Sequence, residues 1–112
     1  MEATGARVFS TLDEERTIQF GEQAIFISPT VEKSDGRPLS AYTAFFNRGE
    51  RAELPAPYDE VWVVLHGRIR VGKGSDAVEA CAGEYVHVPE STPGEVLVVE
   101  DTKMVCVAAP AH

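Results

Sequence analysis

Histidine is scarce in this chain, with three copies, and cysteine scarcer, with two. Tryptophan occurs once, and 10 Lys and Arg stand against 18 Asp and Glu for a net charge of -8. The shortage of cations argues against a nucleic-acid groove, which needs clustered Lys and Arg against phosphates. No apolar run approaches the roughly 18 residues of a membrane helix, and no apolar stretch follows Met1 as a secretory leader would. The expected setting is therefore cytoplasmic, with no membrane partner. Cys81 and Cys106 sit inside apolar runs, without a CxxC pair or a neighbouring histidine. They read as buried structural thiols rather than a disulfide or a nucleophile.

What the chain does have is an ordinary apolar share, 44% of 112 residues, enough for one core and too much for a disordered chain. A single domain is expected, with residues 1–23 as an N-terminal arm and 24–112 as the body. Short apolar runs rich in Val, Ile, Tyr and Phe predict strands at Ala24–Ser28, Ser40–Phe46, Glu60–Leu65, Arg68–Val71, Ala77–Cys81, Glu84–Val88, Glu95–Glu100 and Lys103–Ala108. Turn chemistry separates them, as in Ser34-Asp35-Gly36, Gly72-Lys73-Gly74 and Asp101-Thr102. Thr11–Arg16 reads as one helical turn, with Thr11 as cap and Glu14 three residues on. Strands this short and numerous must close on themselves or stack as two sheets, since open edges invite aggregation. The fold class is all-β.

The Gly67–Ser75 stretch comes within one residue of a P-loop, but Gly74 stands where Ser or Thr must follow the lysine, and a strand follows instead of a helix. It reads as a hairpin turn.

Two other spacings carry more. Glu60 is followed by six residues and Gly67, and Gly83 by five residues and Pro89, within Gly83-Glu84-Tyr85-Val86-His87-Val88-Pro89. These resemble the two signature motifs of the cupin superfamily, and within it the ethanolamine-utilisation Q-type (EutQ-like) small cupins. The Q-type likeness rests on Tyr58-Asp59-Glu60-Val61, Val64-Leu65, Gly67, Ala82-Gly83-Glu84, Val88-Pro89 and Ala109–His112, and covers roughly residues 40 to 112. The resemblance implies a cupin-like β-barrel, a double-stranded β-helix or jelly roll, and a homodimer. Phe20–Ile27 agrees with the dimer, as an apolar segment with no obvious partner inside the chain. In the usual motif an HxH pair precedes the glutamate and a histidine closes the second half. Here those positions fall on Leu54 and Ala56 (or, shifted by one, Pro55 and Pro57) and on Gly94. None of these ligates a metal. No cofactor is therefore expected, and a divalent metal is disfavoured.

Strand alternation gives the candidate site. With Glu60 inward, Tyr58, Trp62 and Val64 share its face, and Val61, Val63 and Leu65 face away. Tyr85 and His87 are expected to point inward as well, and Tyr42 adds a further cavity residue of unassigned face. A lone carboxylate among aromatics is expected to have its pKa raised towards neutrality, as a general acid or base requires. Glu60, His87 and Tyr58 are the candidate catalytic residues. Trp62, Tyr85, Tyr42, Arg68 and Arg70 are the candidate substrate contacts, the two arginines as a carboxylate clamp at the barrel mouth. For each there is a plainer reading: a glutamate held by a neighbour, aromatics that fill a core, arginines that face solvent. His66 and His112 read as solvated. The leading expectation is a metal-independent isomerase, lyase or cyclase acting on a small molecule. The alternatives are a non-catalytic binding or scaffold protein, and an atypical metal site built on Glu60 and His87.

Overall fold

Gly67 and Thr102 decide the shape of the molecule, because each lies where a long strand bends. The computed structural model describes residues 5–12, 18–19, 25–54 and 56–111. Within them run β1 (Ile18–Gln19), β2 (Ile25–Val31), β3 (Ser40–Phe46), β4 (Arg51–Leu54), β5 (Asp59–Gly72), β6 (Val78–Cys81), β7 (Tyr85–Val88) and β8 (Gly94–Ala109). The only helical pieces among these residues are short 3-10 turns at Lys33–Asp35 and Gly74–Asp76.

The strands predicted at Glu60–Leu65 and Arg68–Val71 are one strand, β5, and those at Glu95–Glu100 and Lys103–Ala108 are one strand, β8. The breaks expected at Gly67 and at Asp101-Thr102 are bends instead. Gly67 has φ +91°, and the β5–β8 register shifts around Val64, His66, Arg68 and Ile69. The buried Thr102 side chain repairs the ladder there: Arg68 N–H donates to its Oγ1 at 3.1 Å, and the hydroxyl donates to the Glu100 carbonyl at 2.7 Å. A bulge of this kind lets a strand turn a corner without losing its hydrogen bonds.

The consequence is a strand pair shared by two layers. Beyond the bend, Thr102–Ala108 of β8 pairs with β3, while Glu60–Val63 of β5 pairs with β7. Before it, Gly94–Leu97 of β8 pairs with β4, and Arg68–Val71 of β5 pairs with β6. Every pairing is antiparallel, and the layers enclose one core that includes Ala44, Val64 and Met104 from one side and Ile69, Val71 and Val96 from the other. This is the all-β barrel that the strand rhythm predicts.

Other details differ from expectation. β4 is absent from the predicted strands because it is four residues long and alternates Arg51 and Glu53 with Ala52 and Leu54. Its alternation is too short to read without β8 beside it. Of Phe20–Ile27, expected to lack a partner, residues 20–24 lie outside the described residues and 25–27 have one: β2 pairs along β3 from Ile25↔Phe46 to Val31↔Ala41, and Ile18–Gln19 pairs with Ile27 and Phe26. The described part of the strand that favoured a dimer is thus paired within the chain. Of the helical turn expected over 11–16, Thr11 and Leu12 form a turn, and the remainder lies outside the described residues, as does His112. The near-P-loop segment is the β5–β6 hairpin turn, closed by the 3-10 turn at Gly74–Asp76.

The bend gives a sharp test. Gly67 and Gly83 share φ +91°, but a Cβ on Gly67 would overlap the Asp101 carbonyl oxygen and crowd Thr102, whereas one on Gly83 meets nothing within 4 Å. Gly83→Ala is expected to cost about 1 kcal/mol for the backbone alone, and Gly67→Ala at least about 2 kcal/mol more, through steric displacement of β8. Urea denaturation of both variants checks this; equal losses would show that the contact with Asp101 carries no weight.

Candidate active site in the barrel cavity

Antiparallel register lines up side chains in rows across the layer that holds β3, β8 and β5. Ala44, Met104 and Val64 make one row, all essentially buried, and fill the barrel. The next row is Tyr42, Cys106 and Trp62, and the one beyond it Ser40, Ala108 and Glu60. Ser40 and Ala108 are small and do not fill the space between their neighbours. A cavity of about 510 Å³ opens here, and Leu54, Ala56 and Tyr58 help to line it.

Glu60 lies in its wall and is 5% exposed, the one buried charged side chain among the described residues. Tyr42 donates its hydroxyl to Glu60 Oε1 at 2.6 Å. Oε2 receives no donor from the described residues. Burial above all, together with the neighbouring Cys106 and Glu60, holds the Tyr42 phenol far above its ordinary value, so it remains a hydrogen-bond donor at any working pH. Cys106 is 1% exposed, and burial followed by the nearby Glu60 raises its thiol well above the usual range. It stays a neutral thiol. Trp62, 6% exposed, keeps its indole N–H buried with no acceptor among the described residues. Such a donor carries a desolvation penalty of about 1–3 kcal/mol.

The inward face expected of β5 is therefore present: Tyr58, Glu60 and Trp62 all line the cavity. Tyr42 joins them, and its partnership with Glu60 could not be read from the sequence, because nothing in Ser40–Phe46 sets which alternate face is buried. Cys106, expected as an inert core thiol, is also a wall residue.

The expected inward placement of His87 and Tyr85 is corrected. Val88 pairs with Glu60 and Val86 with Trp62, while His87 pairs with Val61 and Tyr85 with Val63. Opposite residues of an antiparallel pair share a face, so an inward Glu60 sends His87 and Tyr85 outward. Both are exposed, Tyr85 to 74%. Glu60 and His87 lie on opposite faces of the sheet and form no joint metal site. Arg68 and Arg70 also leave the cavity: Arg68 lies 3.7 Å from Glu79 and 3.6 Å from Glu100, and Arg70 4.0 Å from Glu79, all exposed. No mouth clamp forms. His66 is exposed, as expected.

The donor set does not fit a divalent ion. Leu54 and Ala56, at the expected histidine positions, line the cavity with alkyl groups. Gly94 has φ +101°, and a Cβ there would overlap the Gly72 carbonyl, so this backbone has no room for a closing histidine. Among the described residues, no three His, Cys, Asp or Glu side chains gather where they could hold a metal. Within the buried wall an ion would meet one carboxylate, a neutral thiol and a phenol, short of the three or four ligands that such ions take.

With this geometry, comparison with known proteins identifies the fold. The barrel has the cupin fold. A putative ethanolamine utilisation protein Q from Salmonella typhimurium LT2 superposes with a TM-score of 0.70 at 23% identity, over 79% of this chain and 71% of that one. Ectoine synthase from P. lautus gives 0.75 at 15% identity over 89% and 72%, and the cupin_2 domain of an XRE family transcriptional regulator from Enterobacter cloacae 0.65 at 13% over 80% and 100%. No family model and no curated protein matches the sequence.

Two measurements test the wall. Tyr42→Phe leaves the buried Glu60 without its donor and is expected to cost about 1–3 kcal/mol in denaturant unfolding; an unchanged midpoint would mean that the hydrogen bond contributes nothing. In the folded protein at pH 8, a thiol reagent is expected to modify Cys81 and leave Cys106 untouched until unfolding. The Cys81 thiol is itself held up, chiefly by its hydrogen bond to Glu84 at 3.2 Å. Glu84→Gln should therefore move the Cys81 rate–pH curve to lower pH, and a curve that stays in place contradicts that cause.

Proposed function

We propose that the barrel is a metal-independent, small-molecule enzyme of the isomerase, lyase or cyclase type, with Glu60 as the proton-transferring group. The observation that carries this reading is a buried carboxylate with one oxygen engaged and the other without a donor, set in the wall of a roomy apolar cavity. A glutamate retained only to hold the fold would have its lone pairs satisfied and its surroundings packed. Tyr42 binds Oε1 and fixes the carboxylate plane, which makes it a positioning residue. Oε2 is then the atom that takes a proton from a substrate carbon or heteroatom and returns it elsewhere on the same molecule. Tyr58 is a second phenol in the lining.

The fold by itself is neutral between catalysis and binding, because cupin barrels serve both. The test separates them. A metabolite library is screened by thermal shift, and each stabilising compound is incubated with wild type and Glu60→Gln and followed by mass spectrometry. Conversion by wild type that falls about 10²–10⁴-fold in folded Glu60→Gln, compared at saturating compound, is expected. Stabilising ligands that neither protein converts would assign the barrel to binding alone.

A further inference from the structure

From the charge and aromatic pattern of the cavity we infer that its ligand is a small organic cation: an ammonium group on a short apolar body. This deepens the proposed function and rests on the cavity being a ligand site. The lining contains three carboxylates, Glu32, Glu53 and Glu60, and no Lys, Arg or His among the described residues. Glu32 and Glu53 are the more exposed, and Glu60 is the buried one. The aromatic rings of Tyr42, Tyr58 and Trp62 line the same space. Aromatic faces carry negative quadrupole density and attract cations, most strongly where water is excluded. An ammonium there has Glu60 Oε2 as its acceptor, ring faces beside it and alkyl side chains for its body.

An anionic ligand meets the reverse. The two arginines suited to receive it, Arg68 and Arg70, are on the outer face with Glu79 and Glu100. A net charge of -8 adds long-range repulsion for anions and attraction for cations. A neutral ligand would fill the cavity but leave Oε2 without a charged partner.

Three probes of similar size and different charge test the inference: n-butylammonium chloride, 1-butanol and sodium butyrate, at pH 7 and constant ionic strength. Trp62 is the only tryptophan, so its indole N–H resonance and its fluorescence report directly on the cavity. Butylammonium is expected to bind at least about tenfold more tightly than butanol, with butyrate weaker still. Glu60→Gln is expected to remove that advantage and leave butanol within about twofold. The comparison on wild type needs no variant, so it stands even where Glu60→Gln is poorly folded. Butyrate binding as tightly as butylammonium, or a folded Glu60→Gln that keeps the full ammonium preference, overturns the cation assignment and leaves the small-molecule site intact. A Trp62 signal that none of the three probes moves, up to the highest soluble concentration, overturns the ligand cavity itself and the proposed function with it.

Discussion

The structure depends on the bend shared by β5 and β8. Two strands of 14 and 16 residues cannot both stay straight and close a barrel of this size, so each serves one layer, turns and serves the other. The turn is possible because Gly67 lets β5 approach the Asp101 carbonyl more closely than any side chain would allow, and because the Thr102 hydroxyl takes over the hydrogen bonds lost there. The rest is register. A slip of one residue on either strand would move Glu60 to the outer face and put Val61 in the cavity. The site is therefore as stable as the bend that sets its register.

Register also explains why the barrel has a cavity. Rows across β3, β8 and β5 go from Ala44–Met104–Val64, which is packed, through Tyr42–Cys106–Trp62 to Ser40–Ala108–Glu60. On β8 side-chain bulk falls along that sequence from Met104 through Cys106 to Ala108, and β3 ends it on Ser40, so the barrel runs out of filling near Glu60. Short or rigid side chains at Ala52, Ala56 and Pro57 extend the shortage to the facing wall. Replacing small residues there with large ones would make a more ordinary core. The cavity is a consequence of composition at a few aligned positions.

These positions also show what could and could not be read in advance. The facing of Tyr58, Glu60 and Trp62 was legible, because alternation along a single strand needs no partner. The bounds of Ser40–Phe46 were legible for a related reason: turn residues flank a run of β-formers. The facing of Tyr85 and His87 was not. Their strand alternates two residues with aromatic rings against two valines, and either set suits a buried face; only pairing with β5 decides, and pairing is non-local. The same holds for β4, whose partner is more than 40 residues distant in the chain. The joins at Gly67 and Thr102 were misread as breaks because glycine and Asp-Thr are turn chemistry in isolation. A bend supported by a neighbouring strand uses the same residues. Histidine spacing was the most informative absence, since Leu54, Ala56 and Gly94 can be checked one position at a time.

Alternation sorts charge as well as shape. Along β5, Glu60 faces in while Arg68 and Arg70, on the opposite side of the bend from it, face out among acids of their own layer. Among the described residues the cavity is thus lined by acids and no base, although the chain carries 10 basic residues. A buried carboxylate without a counter-charge is costly, and the Tyr42 hydroxyl offsets only part of that cost. On the cation reading, a ligand that carries positive charge and tolerates aromatic walls offsets the remainder. A ligand bound only by the folded state raises stability by RT ln(1 + [L]/Kd), so the charge preference of the cavity can be read as a difference in stabilisation between ligands of like size.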